Sequence, residues 1–278
     1  MYICKSRFLT RGEVWYDDEV AETGSVDWII YYQRSQPVRG TRWEYFYTYG
    51  IDLTEPAEKL ETQLNEDTAY KIRRARERDR IVCEACDSRD SAVLDHFEEM
   101  YNQFAATKGL SPLERRRVDS MAAAGRLDLS AAKDSQGNVL VYHGSYCDHR
   151  RATQLYLPSL YRNFSDNATR SLIGRANRFL TWSDILRFKD RGLKSFDFGG
   201  WYAGSDPAML KINNFKKGFG GQVLREYRCE QVLTLKAWVV FKAAKLVKQV
   251  KLSFSAPQKP SARSLSVKAG KPTAVASA

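Results

Sequence analysis

The chain has 278 residues, 43% hydrophobic and 12% aromatic, with 44 Lys and Arg against 33 Asp and Glu, a formal net charge of +11. That composition excludes a disordered polar chain and sets one large folded domain or two modest ones. The charge favours an anionic partner such as a nucleotide, a phosphorylated lipid, a membrane surface or RNA. Five cysteines (Cys4, Cys83, Cys86, Cys147, Cys229) make no secreted disulfide framework, and one C-x-x-C pair with three scattered histidines completes no zinc set, so no metal is expected. The segment Met1-Tyr-Ile-Cys-Lys-Ser-Arg7 lacks a signal-peptide core, and no apolar run is long enough to span a bilayer. The expected location is the cytoplasm.

Residues 1–50 are rich in aromatic and β-branched residues. Val26-Asp-Trp-Ile-Ile-Tyr-Tyr-Gln33 and Trp43-Glu-Tyr-Phe-Tyr-Thr-Tyr49 read as strands, with Pro37 and Gly40 in the loop between them. Thr54-Glu-Pro-Ala-Glu-Lys59 opens a first helix with Thr54 as its cap, and Thr68 caps a second. The second helix places Lys71, Arg73, Arg74 and Arg78 off its apolar stripe. Its charges fit both a solvated face, countered by Glu77 and Asp79, and a phosphate-binding helix, since guanidinium forks suit phosphate oxygens.

A short strand at 81–86 follows. A long amphipathic helix then runs over 91–108 with Gly109 as its stop, and another from Ser111 to Ala124. Segments 126–133, 138–146 and 152–158 read as three strands of an antiparallel meander. His143 falls mid-strand without a visible partner, which suits a half-buried sheet residue better than a base. A helix over 171–191 follows. Candidate caps at Ser165, Asp166, Asn167 and Thr169, with Arg170 and Arg175 nearby, suit a phosphate at its N-terminus.

Two stretches then draw attention as a site floor: Lys194-Ser-Phe-Asp-Phe-Gly-Gly-Trp201 and Asn214-Phe-Lys-Lys-Gly-Phe-Gly-Gly221. Glycines of this kind mark strand ends where the backbone approaches something closely. A last strand covers 222–228. Beyond it, residues 233–252 form a basic amphipathic helix that suits packing on the body or, through 235–251, peripheral contact with a membrane. Residues 253–278, rich in Ser, Ala, Pro and Lys, are expected to be disordered.

The order of these elements resembles the GNAT acyltransferase fold. Within that superfamily three pieces look like the FemAB and BioF2-like branch: Tyr70-Lys-Ile-Arg-Arg-Ala75; Ala176-Asn-Arg-Phe-Leu-Thr-Trp182 with Phe196-Asp-Phe-Gly-Gly200 behind it; and Phe215-Lys-Lys-Gly-Phe-Gly-Gly221. The resemblance covers roughly residues 50–230. It implies an α+β fold, a mostly antiparallel mixed sheet flanked by helices. Residues 1–84 would be a partial N-terminal second unit and 85–232 the acyltransferase domain.

The resemblance also implies an N-acyltransferase acting on an amino group of a cell-envelope or polysaccharide precursor. Arg170-Ser-Leu-Ile-Gly-Arg-Ala176 departs by one residue from the GNAT pyrophosphate pattern, which leaves the donor open between acetyl-CoA and aminoacyl-tRNA, with tRNA then a partner. Lys71, Arg73 and Arg74 would hold the phosphates of a nucleotide- or lipid-linked sugar acceptor, with Arg170, Arg175 and Asn177 also on the substrate side. No Ser/His/Asp or Cys/His set suggests a nucleophile. Asp197 fits two roles, accepting the amine proton or tying down the glycine turn after it. Lys216 fits a donor phosphate or developing oxyanion, and also a lysine placed by the helix dipole. The competing class is a non-catalytic nucleic-acid-binding protein using the same basic surface.

Overall fold

A computed structural model describes residues 1–6, 8–20, 24 and 26–244. Its strands are β1 (Tyr2–Lys5), β2 (Thr10–Trp15), β3 (Trp28–Arg34), β4 (Arg42–Asp52), β5 (Val82–Cys86), β6 (Leu127–Lys133), β7 (Val139–Cys147), β8 (Arg151–Tyr156), β9 (Ser195–Gly200) and β10 (Gln222–Val232). Its helices are α1 (Ala57–Thr62), α2 (Glu66–Glu77), α3 (Ser91–Lys108), α4 (Arg115–Ala123), α5 (Asn167–Asp190) and α6 (Pro207–Lys217). All ten strands form one sheet in the order β1-β2-β3-β10-β4-β9-β8-β7-β6-β5. The pairs β2–β3 and β8–β9 are parallel and the rest antiparallel. This is the expected α+β architecture, and the meander β6-β7-β8 lies where the alternation put it. Segments 1–84 and 85–232 share the sheet, because β10 inserts between β3 and β4.

One compact unit spans Met1–Ala237 and a second begins at Trp238. In the first, α3 and α4 cover one sheet face around Phe97, Met121 and Leu129. On the other face α5 packs Ile185 and Phe188 against Ile51 and Phe196. The sheet coils strongly: Trp15 on β2 stacks on Tyr146 of β7, centroids 4.5 Å apart, although five strands separate them in hydrogen-bonded order.

Several local readings are corrected. Thr54 caps nothing; its hydroxyl and N–H both donate to Asp52, and α1 starts after Pro56 without a side-chain cap. Asn65 caps α2 by accepting the N–H of Thr68, the residue read as the cap. Helix α4 begins at Arg115, not Ser111. Helix α5 starts at Asn167, capped by Asp166, one of the four candidates.

Strands β1 and β2 escaped the sequence reading because β2 carries Glu13, which is fully buried. Its carboxylate takes a guanidinium fork from Arg117, plus the Tyr2 hydroxyl and an ion pair with Arg11. Burial alone would raise its pKa, but these donors outweigh burial and lower it. Cys83 and Cys86 lie three apart on a strand and so face opposite sides of the sheet. They form no disulfide, and burial pushes their thiols up to about 12 and about 11.

A helix runs over 235–244, where Leu235 and Val239 of the expected packing stripe are exposed. The rest of the basic helix, 245–252, and the tail at 253–278 lie outside the described residues. No described helix is long and apolar enough to cross a membrane.

Candidate functional site

The parallel pair β8–β9 runs only from Arg151–Ser195 to Thr153–Asp197 and then separates. A pocket of about 400 Å³ opens there, lined by Trp15, Tyr32, Gln33, Phe46, Arg117, Thr153, Gln154, Leu155, Gly199, Gly200 and Arg228. Three strands break register at this point. Beside β10, β3 places Tyr32 and Gln33 opposite Arg228; beside β7, β8 carries the extra residue Leu155; beside β4, β9 carries the extra residue Gly199. A bulge re-aims side chains, and such bulges concentrate next to active sites.

Gly199 has φ +71°, and a Cβ there would stand 3.1 Å from the Gln154 carbonyl oxygen. Gln33 and Tyr16 also have positive φ, 53° and 56°, which costs energy in residues bearing a Cβ.

Beneath the pocket lies a buried polar network centred on Asp197, which is fully buried. Its carboxylate receives hydrogen bonds from Thr48 Oγ1, Arg151, Gln33 Nε2 (3.1 Å) and the Gly199 N–H (2.6 Å). Arg151 also pairs with Glu226, and Thr153 donates to Gln33 Oε1 (2.9 Å) and meets the Tyr16 hydroxyl (2.9 Å). With four donors on two oxygens, the geometry supports the tie-down role of Asp197 over proton acceptance.

Lys216 approaches from α6. Its ammonium donates to the Gly199 and Gly200 carbonyl oxygens, from behind the turn that lines the pocket. Burial pushes its pKa down to about 8, against a smaller opposing effect of Asp197. Two buried polar atoms of residues lining the pocket have no hydrogen-bond partner: the Trp15 indole N–H and Arg228 Nε.

A second pocket, about 270 Å³, lies between α2 and the start of α5, lined by Tyr70, Lys71, Arg74, Tyr161, Arg170, Ser171, Gly174, Arg175 and Arg178. It gathers four of the predicted substrate-side residues: Lys71, Arg74, Arg170 and Arg175. Asp79 takes Arg175 in a bidentate pair, 2.5 and 3.0 Å, with Arg74 3.9 Å away, and Asp67 takes Lys71 at 2.7 Å. Arg170 bonds to and lies over Tyr161. Arg178 lies over Phe215, donates to the Gly174 carbonyl, and has no ion pair among the described residues; burial lowers its pKa, against a smaller opposing effect of Asp67.

Two predicted residues fall elsewhere. Arg73 is exposed and lines neither pocket, because it leaves α2 on the far side from α5. Asn177 points into the protein, where its amide oxygen lies 2.8 Å from His143 Nε2. His143 is therefore paired after all. Its Nδ1 lies 2.8 Å from Asp184, which also accepts from Ser130 and Arg187. Burial would raise the Asp184 pKa, but His143 and Arg187 lower it. The sequence reading missed Tyr16, Gln33, Arg151 and Trp15 entirely. The polar run Arg151-Ala-Thr-Gln154, at the start of the strand read over 152–158, was the available signal.

No protein-family model and no curated protein matches the chain. Among solved structures it is similar to FemX, with a TM-score of 0.55 at 14% identity, over 70% of this chain and 63% of FemX. The chain thus spans about 63% of the length of that relative. Lower-scoring matches are the C-terminal domain of a putative lysylphosphatidylglycerol synthetase from Agrobacterium fabrum (0.49, 14% identity, 81% of this chain and 73% of that one) and L-PGS from Bacillus licheniformis (0.47, 11%, 76% and 70%). The likeness is one of fold: the chain has the GNAT-like α+β architecture of FemX.

Proposed function

We propose that this chain, which carries the FemX-like fold, is an N-acyltransferase whose reaction takes place where β8 and β9 separate. The observation that carries the reading is the convergence of three bulges, Gln33, Leu155 and Gly199, on one pocket with an unpartnered indole N–H. Bulged strands leave backbone groups without ladder partners, and these suit a bound carbonyl.

The amine nitrogen attacks the acyl carbonyl carbon, a C–N bond forms, and the carbonyl oxygen takes negative charge. The bond to the leaving thiolate or ribose oxygen then breaks, and the amine proton leaves to solvent or to the leaving group. Trp15 Nε1–H donates to the acyl oxygen. Asp197 and Arg151 hold the floor rigid, and Lys216 fixes the Gly199–Gly200 turn through its carbonyls. The α2–α5 pocket takes the phosphates of the substrate, a nucleotide- or lipid-linked amino sugar of a cell-envelope or polysaccharide precursor. The donor is acetyl-CoA or an aminoacyl-tRNA, and the reaction is placed in the cytoplasm, with 235–251 offered to a membrane surface.

The test offers both donors with a nucleotide-linked amino sugar and follows N-acylation by mass spectrometry. Product with one donor, reduced about a hundredfold in kcat by Trp15→Phe, is the expected result, the usual size for one oxyanion donor. If neither donor is consumed or bound, the reading is wrong.

A further inference from the structure

Strand β4 carries Trp43, Tyr45 and Tyr47 at alternate positions, so the three rings leave one face of the sheet. Tyr227 on β10 stands opposite Tyr45 and joins them, its ring 5.3 Å from Tyr45 and 5.4 Å from Trp43. The three β4 residues are 47, 49 and 39% exposed. β4 is an interior strand, between β10 and β9. An interior antiparallel strand with one face in water ordinarily turns polar residues outward, so an aromatic cluster there marks an interaction surface.

The charge on this face has one sign. The acids within these two strands' ladder, Glu44, Glu226 and Glu230, sit at alternating positions that put them on the opposite face. On the aromatic face Arg225 lies across from Tyr47, its guanidinium 5.2 Å from the Tyr45 ring, with no carboxylate partner among the described residues. Further along, Trp201 stacks on Tyr49 at 5.0 Å, and the Lys217 ammonium stands 5.5 Å from the Trp201 ring. Rings and unpaired cations thus alternate along one surface.

We propose that this face binds single-stranded nucleic acid, with bases stacked on Trp43, Tyr45 and Tyr47 and phosphates held by Arg225 and Lys217. Unstacked bases offer π-faces to exposed rings, and a cationic surface without carboxylates selects a polyanion. A neutral glycan platform needs carboxylates or amides to bind hydroxyls; on this face β4 has neither, and the one amide of β10, Gln231, already accepts from the Tyr31 hydroxyl. A duplex keeps its base faces buried and has nothing to stack. The proposal is independent of the acyl-transfer reading, since Phe46 and Arg228 of that pocket leave the other face of the same strands.

The experiment titrates the full 278-residue chain against fluorescein-labelled ten-nucleotide oligouridylate, oligothymidylate and a ten-base-pair duplex, by fluorescence anisotropy. Both single strands, or the ribose one alone, should bind more tightly than the duplex. Trp43→Ala and Tyr45→Ala should each weaken binding about tenfold, while Tyr45→Phe, which keeps the ring, should bind as the parent. Arg225→Ala should lower the slope of log affinity against log salt by about 0.7. Circular dichroism confirms that each exposed-site variant is folded. Duplex binding as tight as single-strand binding, or affinity unchanged in Trp43→Ala, overturns the proposal. A dimer seen by light scattering that Trp43→Ala dissolves also overturns it, since the face would then belong to a second copy.

Discussion

Two of this molecule's clusters of partly buried charge are built to different rules. At Asp197, one arginine meets two carboxylates and every acid oxygen of the central residue has a donor. Between α2 and α5, Lys71, Arg74, Arg170, Arg175 and Arg178 meet only Asp67 and Asp79, and Arg178 has no ion pair among the described residues. Buried charges cost several kcal/mol each unless paired, so a cluster in which every charged group has a partner is a structural device. An unbalanced one stays costly until an anion arrives. By that argument Asp197 belongs to the scaffold, and Arg178 is the residue on which the proposed phosphate site is tested.

The largest expected effect breaks the fully paired cluster. Arg151→Met leaves Asp197 and Glu226 buried without their cation and should destabilise the fold by about 3–5 kcal/mol, read from the urea midpoint. A loss under about 1 kcal/mol would mean the network is not the rigid floor described. Next in size is Lys216, which sits between the two kinds of cluster: a cation held only by carbonyl oxygens.

Its folded pKa, about 8, lies below the ordinary 10.5. Below pH 8 both folded and unfolded chains carry the proton, and the cost of the buried charge is fully present. Between pH 8 and 10.5 the unfolded chain holds a proton that the folded chain has released, so stability rises with pH by up to ~3 kcal/mol. Lys216→Met should flatten that rise in urea unfolding measured at several pH values. The same rise in the variant would assign it to other groups.

How much of this was legible follows from the range of each interaction. Periodicity found α2, α3, α5 and the β6–β8 meander, because amphipathic stripes are local. The charge of Lys71, Arg74, Arg170 and Arg175 marked them as candidates, and the packing of α2 against the start of α5 brings them into one pocket. The network under the other pocket was not legible. Gln33, Thr48, Arg151 and Asp197 come from four strands, and their meeting depends on β10 inserting between β3 and β4 and on three bulges. A bulge changes which face a residue takes, which alternation alone cannot reveal. Asn177 misled for the same reason: nothing near it in sequence announces His143 across the helix–sheet interface.

A smaller effect sharpens the unbalanced side. Arg178→Gln removes the cation without an ion pair, so folding stability should change by no more than about 0.5 kcal/mol, or rise. Binding of inorganic pyrophosphate, measured by calorimetry, should weaken about tenfold, the loss of one charge-assisted hydrogen bond. Unchanged pyrophosphate binding would remove the phosphate assignment of this pocket without touching the acyl-transfer reading.

The smallest effect separates two neighbours on α2. Lys71 and Arg73 looked equivalent in sequence, but Lys71 lines the basic pocket and Arg73 is exposed outside it. Lys71 is already paired with Asp67 in an i,i+4 surface bridge, worth only about 0.3–0.5 kcal/mol, so Lys71→Ala should barely alter stability. It also frees Asp67 to repel an anion, and pyrophosphate binding should therefore weaken several-fold. Arg73→Ala should change neither quantity measurably. Equal losses of affinity in the two variants would mean that the anion senses the charge of the whole helix rather than a built pocket, and the contrast with the Asp197 cluster would then reduce to net charge.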